Sequence, residues 1–232
     1  MGISRSHNST LRKNCMGSRT VEIPDKLFMT SLNENESWVL GLFLTDGNIT
    51  KPKNTTTWEI SLSSKDRDVI DKTHEIVSVG NVRRQNYSLN RGFGWKWSVK
   101  SKELGNRLLN WNLAPRKSLT LTLPSLENIQ ISSFVRGLWD GDGSIVTSTD
   151  TRHPIEAKIC SASYEFVEAL RLLLKSVTFS DCNIKKDKRR ESFYTLAYSS
   201  GPAKRLIKWM YNGSKEENRM NRKYDKALEF LL

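Results

Sequence analysis

The chain has 232 residues, a formal net charge of +12 and 37% hydrophobic residues, with seven Trp and eight Phe. It can form one large domain or two of about 100–120 residues, and it lacks the roughly 20 consecutive apolar residues of a membrane span. Met1–Thr20 is polar and basic, without the apolar core of a secretory signal. Three cysteines with no CxxC spacing exclude a zinc template and a disulfide framework, and they point to a reducing, intracellular setting. A surplus of positive charge on this scale favours a polyanionic partner.

Residues 1–33 read as a basic leader or arm. A helix is predicted from near Ser37 to Gly47, capped by Asn35 or Ser37 and ended by Gly47 in a left-handed conformation. A polar hairpin follows over Asn48–Ser63, where Trp58, Ile60 and Leu62 alternate with Thr57, Glu59, Ser61 and Ser63. A second helix, Lys65–Val79, carries Val69, Ile70, Thr73, Ile76 and Val77 on one face. The next hairpin pairs Asn81–Leu89 with Phe93–Lys100 across Asn90-Arg91-Gly92. A third helix runs from Lys102 to Trp111, and a linker between Leu113 and Gln130 closes the first half.

The second half repeats the order. A helix over Ser133–Gly143 precedes a strand in which Ile155, Ala157 and Ile159 alternate with Glu156, Lys158 and Cys160. Helix Tyr164–Val177 is capped by Ser163, and hairpin Cys182–Tyr198 leads to helix Pro202–Tyr211 and a C-terminal helix over Lys215–Leu232. Leu108-Leu109-Asn110-Trp111 recurs as Leu206-Ile207-Lys208-Trp209, an offset of 98, while Asp46 and Asp142 end matching helices 96 positions apart. Two features with nearly one period indicate a duplication. The boundaries expected are a leader over 1–33, a first half over 34–112, a linker over 113–130 and a second half over 131–232.

The two acid-ended helices are Val39-Leu40-Gly41-Leu42-Phe43-Leu44-Thr45-Asp46-Gly47 and Val135-Arg136-Gly137-Leu138-Trp139-Asp140-Gly141-Asp142-Gly143. A carboxylate at a helix C-terminus opposes the macrodipole at a cost of roughly 0.3–1 kcal/mol. One Asp-Gly is a common helix stop, but two at repeat-equivalent positions ask for a bound cation. Small residues four apart, Gly41 with Thr45 and Gly137 with Gly141, let two helix backbones approach closely. Side by side, these helices would deliver Asp46 and Asp142 to one place, where two carboxylates repel unless cations intervene. Mg²⁺ suits such a site, because it takes one or two carboxylates and completes its shell with water and phosphate oxygens. An EF-hand loop starting at Asp140 is excluded, because Ile145 and Thr151 stand where Gly and Glu are needed. His74 and His153 have no partner at ligand spacing.

With this tandem motif, residues 35–232 resemble the LAGLIDADG homing endonucleases; Leu44 departs from the motif's first Asp, which Asp140 supplies in the second copy. The resemblance implies an α+β fold of two pseudo-symmetric αββαββα halves. Each would hold a four-stranded antiparallel sheet backed by helices, and the halves would join at the two motif helices. It implies a monomer that cuts both strands of a long double-stranded DNA target and leaves 3′ overhangs. Metal-bound or ordered water would attack, with Asp46 and Asp142 as metal ligands and Mg²⁺ or Mn²⁺ as cofactor; Ca²⁺ could bind without supporting cleavage. A basic residue near each acid commonly assists in this family. Lys117 and Lys223, each second in an Arg-Lys pair after the third helix of its half, are the candidates, with Lys100 as a rival. An intron RNA maturase, or a non-cleaving DNA-binding protein, is the alternative on the same fold. The setting would be an intracellular one that holds the host DNA.

Strand alternation marks the expected DNA face. Thr57, Glu59, Ser61, Lys96, Ser98 and Lys100 point away from the apolar side, joined by Arg83, Gln85 and Tyr87 or, one register over, by Arg84 and Asn86. Glu156 and Lys158 do the same in the second half. The loop residues Lys51 and Lys53 are suited to phosphates, as is the basic run Lys185, Lys186, Lys188, Arg189 and Arg190.

Overall fold

The computed structural model describes residues 21–86, 92–147, 154–188 and 191–231. In chain order the first half contains α1 (Glu34–Thr45), β1 (Gly47–Thr50), β2 (Trp58–Ser64), α2 (Arg67–Val77), β3 (Asn81–Asn86), β4 (Phe93–Ser101) and α3 (Lys102–Asn110). A single 3-10 turn at Lys117–Leu119 lies in the linker. The second half contains α4 (Ile131–Gly141), β5 (Gly143–Thr147), β6 (Ile155–Ser161), α5 (Tyr164–Thr178), β7 (Lys185–Lys186), β8 (Tyr194–Ser199) and α6 (Ser200–Tyr211), followed by α7 (Asn221–Leu228). The sheets have the same antiparallel order, β1-β2-β4-β3 and β5-β6-β8-β7. The chain is therefore the α+β, twofold-repeated αββαββα fold that the motif implies.

The motif helices are the interface between the halves. Glu36–Leu44 of α1 and Ser133–Asp140 of α4 are buried on every side, as expected of helices with no solvent face. A Cβ on Gly41 would overlap the Phe134 carbonyl oxygen and lie 2.7 Å from the Leu138 amide nitrogen. One on Gly137 would overlap the Trp38 carbonyl oxygen and lie 3.1 Å from Gly41 Cα. Backbone thus packs on backbone, which offsets the cost of about 1 kcal/mol for each helical Gly.

Several expected details change. Neither Asn35 nor Ser37 caps α1. Asn33 does, accepting from the Glu36 amide at 2.9 Å while the Glu36 carboxylate accepts from the Asn33 amide at 3.1 Å. Ser37 instead joins the halves, its Oγ accepting from the Gln130 amide at 3.1 Å. Gly47 is not the left-handed terminator either. Asp46 ends α1 in right-handed geometry (φ −87°, ψ −11°) and Gly47 begins β1. What Gly47 supplies is space, because a Cβ there would come within 2.5 Å of the Phe43 carbonyl oxygen. Gly143 repeats the device, with a Cβ only 2.6 Å from Trp139 Cδ1. The expected C-terminal helix is broken: a 3-10 turn at Glu216–Asn218 precedes α7, and the Met220 amide between them is held by Asp140 at 2.9 Å. The leader up to residue 20 (with Cys15), Tyr87, the Asn90-Arg91 turn and His153 lie outside the described residues.

Candidate active site

Asp46 and Asp142 stand at the C-terminal ends of α1 and α4, where the helix pair brings them together. The Asp46 Oδ2 lies 3.4 Å from where a Cβ of Gly141, the residue before Asp142, would be. Both acids are open to solvent, yet protein packs around their remaining sides. Desolvation, and then the negative charge of Asp142, push the Asp46 carboxyl up to about 6, against the opposing pull of Lys223 and Lys117. Desolvation likewise raises Asp142, offset by Lys117 and then Lys223. Among the described residues no group of three or more His, Cys, Asp or Glu is placed to hold a metal. The protein's offer is thus two adjacent carboxylates whose mutual repulsion a hard divalent cation would relieve. That fits an ion which takes only one or two carboxylates from the protein and the rest of its ligands from phosphate and water.

Lys117 and Lys223 occupy equivalent positions at the two helix ends. Lys117 Nζ donates to the Thr45 carbonyl at 3.4 Å and to that of Gly47. Lys223 Nζ donates to the carbonyls of Trp139 (2.5 Å), Asp140 (2.7 Å), Gly141 (3.2 Å) and Gly143 (2.7 Å). Each ammonium therefore meets the negative pole of the helix that carries an acid. Burial lowers both lysines, Lys223 to about 8, while the neighbouring carboxylates oppose that shift. Lys100, the rival, sits on the sheet opposite Glu59.

Asp140 is a separate case that sequence reasoning left as a motif letter. It is fully buried and accepts from Trp38 Nε1 at 2.9 Å, Tyr211 Oη at 2.6 Å and the Met220 amide at 2.9 Å. It therefore ties α4 to the first half and to the C-terminal segment at once. Arg136, one turn earlier, donates to the Asn218 carbonyl at 2.8 Å and its Oδ1 at 2.7 Å, and Asn218 Nδ2 donates to Asn35 Oδ1 at 2.8 Å. A charged residue inside an otherwise apolar helix was the available signal.

The strand registers decide the sheet faces, because directly paired residues share a face. Glu59 pairs with Lys100, Ser61 with Ser98, Ser63 with Lys96, and Arg83 with Lys96. Gln85 falls on that same polar face and shares a hydrogen bond of 3.4 Å with Ser63. Arg84 does not join it: it pairs with Trp95 and its guanidinium lies 3.8 Å over the Phe93 ring. Asn48 and Thr50 of β1, which the sequence placed in the Asn48–Ser63 hairpin but not among the outward-facing residues, extend the polar face, paired with Ser61 and Glu59. The alternation of apolar Ile49 with polar Asn48 and Thr50 was the signal. In the second half Ser144 pairs with Lys158 and Val146 with Glu156, and Lys158 forms an ion pair with Glu156 at 3.3 Å. Lys185 pairs with Thr195, while Lys186 turns to the other face, 5.8 Å over the Tyr194 ring. Lys51 rests 5.1 Å over the Trp58 ring, and Lys53 and Lys188 are exposed in turns. Arg189 and Arg190 lie outside the described residues. Among the described residues no helix is long and apolar enough to cross a membrane.

Two halves that repeat one αββαββα plan, joined where acid-ended helices pack backbone to backbone, define a two-motif LAGLIDADG fold. Residues 130–208 match the LAGLIDADG-like domain. The fold of the chain as a whole is that of the LAGLIDADG homing endonucleases. It superposes on the homing endonuclease I-WcaI bound to its DNA recognition sequence at 16% identity, with a TM-score of 0.61, over 86% of this chain and 88% of that one. I-DmoI in complex with DNA and Ca matches at 17% identity with a TM-score of 0.56, over 84% and 97%. The LAGLIDADG homing endonuclease I-SmaMI bound to cleaved DNA matches at 14% and 0.51, over 86% and 88%. Among curated proteins, no sequence matches.

Proposed function

We propose that this protein is a site-specific endonuclease. It would cut both strands of a long duplex DNA target as a monomer and leave 3′ overhangs, with Mg²⁺ or Mn²⁺ as the working ion and Ca²⁺ bound without turnover. The single observation that carries this reading is the convergence of Asp46 and Asp142, each with a lysine on the end of its helix. Divalent ions held by the two carboxylates would supply charge neutralisation at both the attacked and the leaving oxygen of a phosphodiester. Asp46 and Asp142 hold those ions only when ionised. Lys117 and Lys223 add positive charge where the phosphate gains negative charge. The polar face with Arg83, Gln85, Lys96, Ser98 and Lys100, and its counterpart with Lys158 and Lys185, would read base edges and hold phosphates. The DNA in the complexes of its structural relatives supports a duplex ligand, and no observation here favours intron RNA.

A selection of cleaved sequences from a randomised DNA library with Mg²⁺ tests activity and target together. A plasmid carrying the selected site should be linearised with Mg²⁺ and left intact with EDTA. Asp46→Asn and Asp142→Asn should abolish cutting while the duplex is still bound. Undiminished cleavage by the double variant overturns the reading.

A further inference from the structure

Lys223 reaches the acids from the last helix of the second half, but the residues just before it are held by the first half. Arg222 makes a bidentate pair with Asp66, Nε to Oδ1 and a terminal nitrogen to Oδ2, both at 2.9 Å. The Asn221 amide donates to Asp68 Oδ2 at 2.9 Å. Lys72 Nζ bridges Asp68 Oδ2 (3.2 Å), the Arg219 carbonyl (2.8 Å) and Asn221 Oδ1 (2.7 Å). Lys72 is buried. These contacts fasten 219–222 to the N-terminal turn of α2 and its cap. Exposed single ion pairs contribute little, but a bidentate pair, a backbone amide and a buried ammonium acting on Arg219, Asn221 and Arg222 together fix geometry. Lys117 is reached differently, from a linker turn following the left-handed Arg116.

We propose that Asp66, Asp68 and Lys72 form a positioning clamp through which the first half sets Lys223 in the composite active site. Docking of the halves is thereby read out at one of the two lysines. This rests on the nuclease reading above. A clamp that acts through one lysine affects one strand more than the other, since the two lysines rest on the ends of opposite motif helices.

The test is strand-resolved cleavage of an end-labelled target by the full chain. Lys223→Met and Lys117→Met should slow opposite strands. Arg222→Gln and Asp66→Asn should slow the same strand as Lys223→Met by about tenfold, in turnover rather than in KM, so that nicked DNA accumulates. Arg222→Lys, which keeps the charge, should fall between Arg222→Gln and the parent, and thermal unfolding should show each variant folded. Equal slowing of both strands, the strand bias of Lys117→Met, or no change in Arg222→Gln would overturn the clamp. Cleavage unaffected by Lys223→Met would overturn the role of the lysine itself, and no cleavage by the parent would overturn the nuclease reading.

Discussion

Lys117 comes from the linker and rests on the end of the first-half motif helix, yet its electrostatic partner is Asp142 of the second half. Lys117 donates to carbonyls at the end of the first-half helix, but between the two site acids its charge acts more strongly on Asp142 than on Asp46. Lys223 mirrors it, resting on second-half carbonyls and acting more strongly on Asp46 than on Asp142. The lysines thus cross over between the two acids. Neither half alone assembles an acid with its strongest lysine.

The crowded acids make the metal-free fold sensitive to pH. The Asp46 carboxyl is pushed up to about 6 from an unfolded value near 3.8. Between those values the folded state binds more protons than the unfolded one, so its stability falls as pH rises through that window and stays lower above it. A shift of this size corresponds to about 3 kcal/mol, but both acids are solvent-exposed, and screening reduces the expected effect to roughly 1 kcal/mol. Asp46→Asn should therefore raise the thermal midpoint in EDTA at pH 8 and lose that advantage at pH 4, while abolishing cleavage. Calorimetry at the two pH values checks this.

Divalent metal should relieve the same repulsion. Mg²⁺ should stabilise the parent protein, and the gain should diminish as pH drops through 6, when Asp46 takes up its proton. Asp46→Asn with Asp142→Asn should show no gain. Thermal shift with and without Mg²⁺ at several pH values is the measurement.

Gly137→Ala should be destabilising, because the new methyl group meets the Trp38 backbone, which cannot yield as a side-chain tip can. A loss of about 2 kcal/mol or more is expected, outweighing the roughly 1 kcal/mol of added helix propensity. Activity should fall further than stability alone explains, since separating the helices separates the acids. Gly201→Ala is the control. It lies in α6 with only the Arg205 guanidinium at 3.5 Å, and it should be neutral or stabilising by up to about 1 kcal/mol. Urea melts of both variants decide the matter.

Asp140→Ala should leave three buried donors, Trp38 Nε1, Tyr211 Oη and the Met220 amide, without their acceptor. About 3–5 kcal/mol is expected. Because one of those donors lies in the first half, a double-mutant cycle of Asp140→Ala with Trp38→Phe should show strong coupling.

Arg83 and Arg84 are sequence neighbours with opposite fates. Arg83→Ala should weaken duplex binding and, if it contacts a phosphate, reduce the salt slope by about 1. Arg84→Ala should leave binding unchanged and only loosen the edge of the sheet near Phe93. Titrations at several salt concentrations separate them.

The repeat, the helix–strand order and the pairing of Asp46 with Asp142 were legible because each rests on local pattern: apolar period, small residues at helical spacing, and duplicated acids. The cap at Asn33 was missed because it lies five residues ahead of Trp38, the first apolar residue of the helix, and its Glu36 partner looks like ordinary surface charge. Gly47 was misread because a left-handed stop and a crowded close approach favour the same residue, and only the Phe43 backbone tells them apart. The faces of Arg83 and Arg84 depended on a register that sequence leaves open by one residue. The Asp66–Arg222 contact spans 156 positions, and no local signal announces it.

Each acid is followed by the glycine that opens β1 or β5 and then by Asn48 or Ser144, the second residue of that strand. Under the proposed function, the metal-holding acid and the nearest residue of the polar sheet face are therefore two peptide units apart on one stretch of backbone. Redesign of the target would consequently be tolerant toward its outer base pairs, read by side chains far from the helix ends. The innermost base pairs would resist it, since any substitution that shifts β1 or β5 also shifts a carboxylate.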